Sequence, residues 1–457
     1  MKRTVMTFLM SCLFLAAQFC FVSATGNSDS GQNDSATDAS KPGILMTNNT
    51  TFSSNAVVYP VFKDKEFHFQ VLRQLSIAPY GGSDINECLN TASRIKPGDF
   101  ESWYQEWFAT AERIHKIADE SLEKGHNVSA RDAYLRASGY YRAAEFFLHG
   151  NPDDPRILQT WEKSRDSFRK AIDLVPYSVE TVEIPYENTT LPGYFLKPDS
   201  SDQPRKTLIL QTGFDGTAEE LYFSQGQAAV QRGYNCLIFE GPGQGGVLRE
   251  QGLHFRPDWE NVVTPVVDYV LTRKDVDPEC IALMGISMGG YLAPRAAAYD
   301  DRIAACVANG GIYELNYTSD FSPEEMDALI NYPKEFDMGT REAMKNDTNL
   351  RWSVEHGMYS FGVDTPHEFL IKSQEYTLKD CVKQISCPML VVDSQNDWMM
   401  KGKAIQLYDA LESPKEYMLF TTEEGAGEHV QMGARLLSNQ RIFDWLDETL
   451  KGCQNTG

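Results

Sequence analysis

The chain has 457 residues, room for a large catalytic domain and an accessory unit. With 42% apolar and 23% charged residues it is ordinary globular material, which excludes a chain disordered throughout and a multispan membrane protein. Its 42 basic and 64 acidic side chains leave a net charge of −22, which argues against nucleic-acid binding, since neutralising phosphates takes Lys/Arg patches.

Lys2 and Arg3 precede a nearly uncharged run over 4–22, and Val22-Ser23-Ala24 supplies the small residues read by a signal peptidase. That order predicts a secretory signal over 1–24. The rival is an uncleaved anchor, since the run nears the length that crosses a bilayer. Gln18 interrupts it and favours cleavage, hence a secreted protein without stable membrane insertion. Residues 25–56, rich in Ser, Asn, Asp, Gly and Thr, read as a disordered leader. Seven Asn-x-Ser/Thr sequons (Asn33, Asn48, Asn49, Asn127, Asn188, Asn316 and Asn346) fit a glycoprotein if the source is eukaryotic. Past the signal seven cysteines remain, an odd number, so at least one is free or bonded to another chain. Cys236, Cys280 and Cys306 lie in or beside apolar runs and read as small core residues. A Cys381–Cys387 bridge stays open, and no Cys/His cluster has zinc spacing.

Residues 57–175 read as a helical unit. Apolar side chains recur at three and four residues in Trp103, Trp107, Ala111, Ile114 and Ala118, and again in Tyr134, Ala137, Tyr141, Ala144 and Leu148. Ser129 with Asp132 predicts a capping box opening the second of these helices. From 176 to 457 the period changes. Short β-branched runs at 179–184, 194–196, 207–211, 236–239, 281–284, 303–307, 389–392 and 417–420 are mostly separated by helical lengths. A leading hairpin and then alternation predict an α/β fold, a mainly parallel sheet wrapped by helices. Residues 316–380 break the rhythm and read as a cap inserted over the strand ends.

Gly285-Ile286-Ser287-Met288-Gly289 follows one strand run and precedes an alanine-rich helix. A turn that sharp forces Ser287 into strained geometry, and the glycines two residues either side avoid clashes. Such a serine is a candidate nucleophile, and it needs a base held by an acid. Of the histidines after it, His429 lies in the loop after the last strand, where the base belongs; His356 and His367 fall in the cap. Two carboxylates compete as the acid: Asp397, one loop beyond its strand and able to turn toward His429, is favoured over Asp393 at the strand end. An oxyanion hole needs two backbone N–H donors, and Met288 and Phe214 are the candidates. Phe214 stands in Gly213-Phe214-Asp215-Gly216-Thr217 after the third strand. Gly241-Pro242-Gly243-Gln244-Gly245-Gly246 lacks the Lys-Ser/Thr of a P-loop and reads as a tight strand exit.

These segments, with Phe239-Glu240 leading into the glycine run, resemble an α/β-hydrolase. Tyr134-Leu135-Arg136-Ala137-Ser138, Tyr141-Arg142-Ala143-Ala144-Glu145 and Gly425-Ala426-Gly427-Glu428-His429 narrow the resemblance to one branch. It holds 2,6-dihydroxypseudooxynicotine hydrolase and the fungal hydrolases of pigment-shortening and fusarin-type polyketide clusters. The resemblance covers roughly residues 66–450. It implies Ser287 as nucleophile, Asp397 as acid and His429 as base, with a helical unit closing the pocket. It also implies cleavage of a carbon–carbon bond beside a ketone, or of an ester, in a small aromatic or polyketide-like substrate. No metal or organic cofactor is needed. Trp103, Tyr104, Trp107, Tyr140, Tyr141, Trp352 and Tyr359 are core by default, with a few left to line a pocket. The rivals are a secreted carboxylesterase, a lactonase, an acyltransferase, and a catalytically silent binding protein. No blade repeat precedes the hydrolase half, which argues against a peptidase of the prolyl-oligopeptidase type. A homodimer stays open.

Overall fold

The structure, a computed structural model, describes residues 61–452. The expected signal, the leader, Asn33, Asn48, Asn49 and Cys453 lie outside the described residues.

Five helices come first: α1 (Lys65–Ser76), α2 (Ile85–Ala92), α3 (Phe100–Glu123), α4 (Asn127–Glu145) and α5 (Pro155–Ile172). Four of them open on an aspartate whose carboxylate accepts a first-turn N–H. Asp64 takes that of Phe67, Asp84 that of Asn86, Asp99 that of Ser102 and Asp154 that of Arg156. The exception is α4. The capping box expected at Ser129 is not its start; the helix begins two residues earlier, behind His126, without a side-chain cap. Packing sets that start, since α4 is sandwiched between α3 and α5 and is buried from Ala133 almost without break. Its Ala, Ser and Gly positions allow close approach. A Cβ on Gly139 would lie 2.4 Å from the carbonyl of Gly82. The Trp103 indole donates to the carbonyl of Ala143 at 2.7 Å, satisfying its polar atom inside the core.

Eight strands follow: β1 (Ser178–Tyr186), β2 (Thr189–Lys197), β3 (Arg205–Gln211), β4 (Asn235–Phe239), β5 (Val276–Ile286), β6 (Ala305–Asn309), β7 (Met389–Ser394) and β8 (Lys415–Phe420). They form one sheet in the order β1-β2-β4-β3-β5-β6-β7-β8. β1 pairs with β2, and β2 with β4, antiparallel; the remaining pairs are parallel. This is the mainly parallel sheet the sequence predicts, with β6 two residues later than its apolar run. β4 and β6 are buried at every residue, as central parallel strands must be. The register aligns the strand ends: Gln211 lies opposite both Phe239 and Gly285, and Asn309 opposite Ile286 and Val392. The loops leaving β3 to β7 therefore open on one edge of the sheet.

Helices α6 (Gly245–Gln251), α7 (Glu260–Leu271) and α8 (Gly289–Ala297) flank the sheet. Between β6 and β7 the chain builds α9 (Pro323–Asn331), α10 (Pro333–Ala343), α11 (Thr348–Phe361) and α12 (Pro366–Ser373). This insertion meets the N-terminal unit: Thr348 donates to Asp64 at 2.7 Å and Asn349 to Glu66 at 2.8 Å. Helices α13 (Lys403–Ala410) and α14 (Arg435–Thr449) complete the fold.

The cysteine pattern settles one open pairing and departs from expectation at one place. Cys88, Cys236, Cys306, Cys381 and Cys387 are free and buried, so the Cys381–Cys387 bridge is not formed. Cys280, read as a plain core residue, is disulfide-bonded.

Glu66 is fully buried under the insertion, with Gln70 and Asn349 donating to its carboxyl. Burial, against those two bonds, pushes its pKa from 4.5 up to about 7. The folded chain therefore holds a proton there that the unfolded chain has released, and stability falls as pH rises from about 4.5 to 7. Glu66→Gln should flatten that fall. The difference between variant and wild-type unfolding free energies should move by on the order of 3 kcal/mol between pH 4.5 and pH 8. Parallel denaturant titrations at the two pH values measure it.

Candidate active site

Ser287 is the first residue past β5 and adopts φ 60°, a left-handed conformation that costs a side-chain-bearing residue energy. Its N–H donates to the carbonyl of Asn309 at 2.8 Å. The reversal into α8 leaves no room for side chains on either flank. A Cβ on Gly285 would lie 1.9 Å from the carbonyl oxygen of Gly289, and one on Gly289 would lie 2.7 Å from that of Thr212.

The Oγ of Ser287 is 2.9 Å from Nε2 of His429, and Nδ1 of His429 is 2.6 Å from Oδ2 of Asp397. A carboxylate accepts only, so Nδ1 carries the proton, and Nε2 of the neutral ring is left to accept from the serine hydroxyl. The other carboxylate oxygen of Asp397 accepts the N–H groups of Met399 and Met400 at 3.0 and 2.9 Å. Burial pushes this acid up, but the His429 ring and those two N–H groups outweigh it and hold Asp397 below its ordinary value. Asp393 faces elsewhere. It accepts from the Tyr417 hydroxyl at 2.5 Å, and burial raises its pKa. The two candidate acids are thus separated by geometry, with Asp397 beside His429.

The turn that carries His429 is itself strained, with φ 46° at Val430 and 55° at Gln431. Gln431 donates to the Ser394 hydroxyl at 3.1 Å, and Arg435 donates to the carbonyl of Val430 at 3.0 Å. These bonds tie the turn to β7 and to α14.

Met288 and Phe214 also come together at the serine. The loop after β3 lies against the turn so closely that a Cβ on Gly213 would be 2.6 Å from the nitrogen of Met288. Among the described residues, no hydrogen bond uses the N–H of Met288 or of Phe214. The carbonyls of this loop are turned away and held. Buried Gln244 donates to Thr212 and Gly213 at 3.1 and 3.0 Å while accepting the N–H of Gly241 at 3.0 Å. The glycine run after β4 therefore serves to carry Gln244 beneath the loop. Glu240 anchors the same region by accepting the N–H groups of Ala218 and Gly246 at 2.8 and 2.6 Å.

His356 belongs to this support. It is buried and donates from Nε2 to the carbonyl of Phe214 at 2.9 Å. Burial, helped by neighbouring His149, drives its pKa down to about 3, so the ring is neutral. Its Nδ1 therefore accepts from Nδ1 of His149 at 2.9 Å, and His149 faces Glu145 at 2.8 Å. His367 pairs with Asp337 at 2.9 Å inside the insertion, away from the serine.

Above Ser287 and His429 opens a largely apolar pocket roofed by α1 and the insertion, with Phe69, Tyr317, Trp352, Phe369 and Trp398 in its wall. Of the aromatics singled out from sequence, Trp352 lines it. Trp103, Trp107, Tyr140 and Tyr141 are core, with the Trp103 and Trp107 rings packed at a tilt in the helical unit. Nothing local in the sequence marks Phe69, Tyr317 or Trp398 as facing a cavity. One side of the pocket is ionic. Arg73 on α1 pairs with Asp215 and Glu220, each at 2.5 Å, and Arg142 on α4 pairs with the same two at 3.0 and 3.2 Å. Burial alone would raise both acids; the two guanidinium groups hold both below their ordinary values. Among the described residues no group of three or more His, Cys, Asp or Glu side chains is placed to hold a metal.

Residues 221–453 match the prolyl oligopeptidase family. Hydrolase acrC of Aspergillus aculeatus is 39% identical over 84% of this chain and 96% of its own. The 20-hydroxy-prefusarin hydrolase FUS2 of Gibberella moniliformis is 36% identical over 86% of this chain and 98% of its own.

The chain belongs to the prolyl oligopeptidase family.

It is a hydrolase of the α/β-hydrolase fold, in the branch its helical motif points to. The 2,6-dihydroxy-pseudo-oxynicotine hydrolase structure superposes with a TM-score of 0.67 over 84% of this chain and 97% of that one, at 20% identity, and so shares the fold. The family match falls on the hydrolase half, and the described residues before it form the helical unit and strands β1 to β3, with no blade repeat among them. The sequence argument against a peptidase of this type therefore concerned the accessory unit and not the family of the catalytic half.

The geometry separates the two acids in a measurable way. Asp397→Asn should lower kcat on a 4-nitrophenyl ester by on the order of a thousandfold with little change in KM, because the His429 tautomer is lost. Asp393→Asn should change kcat by less than about threefold. Steady-state kinetics on the two folded variants checks both.

Proposed function

We propose that this hydrolase acts through an acyl-serine intermediate on a small, largely apolar carbonyl compound, cleaving a bond beside the carbonyl. The observation that carries the reading is the hydrogen-bonded chain Ser287–His429–Asp397 at the foot of a largely apolar pocket. His429 takes the hydroxyl proton on Nε2 as Oγ of Ser287 bonds to the carbonyl carbon. The N–H groups of Met288 and Phe214 hold the oxyanion. On collapse the leaving group departs as an alkoxide or a resonance-stabilised carbanion and takes the proton back from His429. Water, deprotonated by His429, then attacks the acyl carbon, and the acid leaves Ser287 free.

Aromatic walls suit an aromatic or polyketide-like substrate. The name of the Gibberella relative, a 20-hydroxy-prefusarin hydrolase, supports a compound of that general kind. Passage through the secretory pathway is part of this proposal. Supporting it are the disulfide at Cys280 and exposed sequons at Asn127, Asn188 and Asn346. Among the described residues no helix is long and apolar enough to cross a membrane.

A fluorophosphonate probe should label the wild-type protein. Ser287→Ala should abolish labelling, and His429→Ala should slow it by on the order of a hundredfold or more. A folded wild type that neither labels nor hydrolyses a small aryl ester would sink the reading. Turnover of aryl esters set against β-diketones then tells ester cleavage from carbon–carbon cleavage.

A further inference from the structure

Two arginines, Arg73 and Arg435, line the ionic side of the pocket, and a third, Arg142, reaches its carboxylates from α4. Arg73 and Arg142 share Asp215 and Glu220. Arg435, at the start of α14, lines the same cavity as Ser287 and His429 and is 3% exposed. Among the described residues no carboxylate lies within ion-pair distance of it. The charges that act on it are Glu220, already shared by two arginines, and Arg73, which repels it. Burial, offset in part by Glu220, lowers its pKa to about 10, so at neutral pH it keeps its charge.

Its hydrogen bonds are as incomplete as its charge balance. Nη1 donates to the carbonyl of Val430 at 3.0 Å. Nη2 meets only the thioether sulfur of Met432, a weak acceptor, at 3.0 Å. Nε is buried and has no partner. Nε–H and the neighbouring Nη2–H form the edge of a guanidinium that fits a carboxylate with two parallel bonds, as the same edge of Arg73 does with Glu220. Holding a carbonyl at the His429 turn takes one donor of Arg435 and leaves a buried edge met only by the Met432 sulfur, which an arriving carboxylate would displace. A charge kept out of water without a partner is costly, and an arriving anion relieves that cost.

We propose that Arg435 binds a carboxylate on the substrate, so that the natural substrate is an amphiphilic acid: an apolar body against the aromatic walls and a carboxylate on the Nε/Nη2 edge of Arg435. This rests on the reading of Ser287 as the acylated residue only for where the bond is cleaved; the anion site itself does not depend on it.

Two measurements on the full chain test it. The first compares 4-nitrophenyl hexanoate with the 4-nitrophenyl monoester of adipic acid, which adds a terminal carboxylate. Wild type should favour the acid in kcat/KM. That preference should fall at least about tenfold in Arg435→Met and return in part in Arg435→Lys. Reading the ratio removes any general loss caused by a displaced His429 turn. Equal treatment of the two esters by wild type, or an unchanged ratio in Arg435→Met, overturns the proposal. The second uses Ser287→Ala, whose fold is read without chemistry. Octanoate should raise its melting temperature, octanamide should not, and adding Arg435→Met should remove the octanoate effect. Equal shifts by acid and amide, or no shift by octanoate, overturn the anion site. An octanoate shift in a protein whose wild type never labels with fluorophosphonate would keep the anion site and reject the acyl-serine reading.

Discussion

The proposed reaction centre hangs on one backbone constraint, the left-handed residue at the end of β5. Ser287 at φ 60° is unfavourable in isolation. It persists because its neighbours leave no alternative: the carbonyl of Asn309 takes its N–H, and Gly285 and Gly289 pack backbone to backbone without a Cβ between them. The same reversal brings the N–H of Met288 against the loop after β3, whose Gly213 must also lack a Cβ. One sharp turn thus fixes a hydroxyl, a free N–H and the approach of a second loop. The rest of the site is arranged around those positions.

The second loop has no hydrogen-bonded ladder to hold it, and its support comes from side chains distant in sequence. Gln244 binds its carbonyls from below, and neutral His356 binds that of Phe214 from the insertion. Arg73 and Arg142 grip Asp215 from the helical unit. Buried ion pairs are uncertain contributors to stability, since desolvation offsets most of their attraction. Here their effect is geometric. Removing either helix-borne arginine would free a loop that carries the N–H of Phe214. The helical unit is therefore coupled to the reaction centre as well as to the pocket wall.

This distribution explains what could be read from the chain alone. The strands, the elbow and His429 are local patterns: an apolar run, a Gly-x-Ser-x-Gly spacing, a histidine past the last strand. Each is set by chemistry within a few residues. The choice between Asp397 and Asp393 is only half local, because one ends the strand, the other lies just beyond it, and the direction of a loop decides between them. Asp215 stood in plain view inside a glycine-rich turn, yet its partner Arg73 is 142 residues away. Arg435 gave no signal either, since an arginine opening a helix is ordinarily solvated. The failed capping box at Ser129 is the reverse case: a good local pattern overruled because packing between α3 and α5 sets where α4 begins. Cys280 shows the same limit, for a cysteine beside an apolar run looks alike whether bonded or free.

The pocket's charge balance separates support from recognition. Two guanidinium groups against two carboxylates account for each other, and their bonds all point to loop or helix. If the third arginine were equally structural, its donors would be spent on acceptors of the fold. Only one of them, on the carbonyl of Val430, clearly is. The strained turn it holds carries His429, so a group bound on the Nε/Nη2 edge of Arg435 would sit beside the turn of the proposed base. Apolar walls then supply affinity without direction, because burial of surface has no preferred orientation. In the proposed reading a single buried cation supplies the direction that the aromatic side chains lack, and would thereby fix which carbonyl of a flexible substrate reaches Ser287.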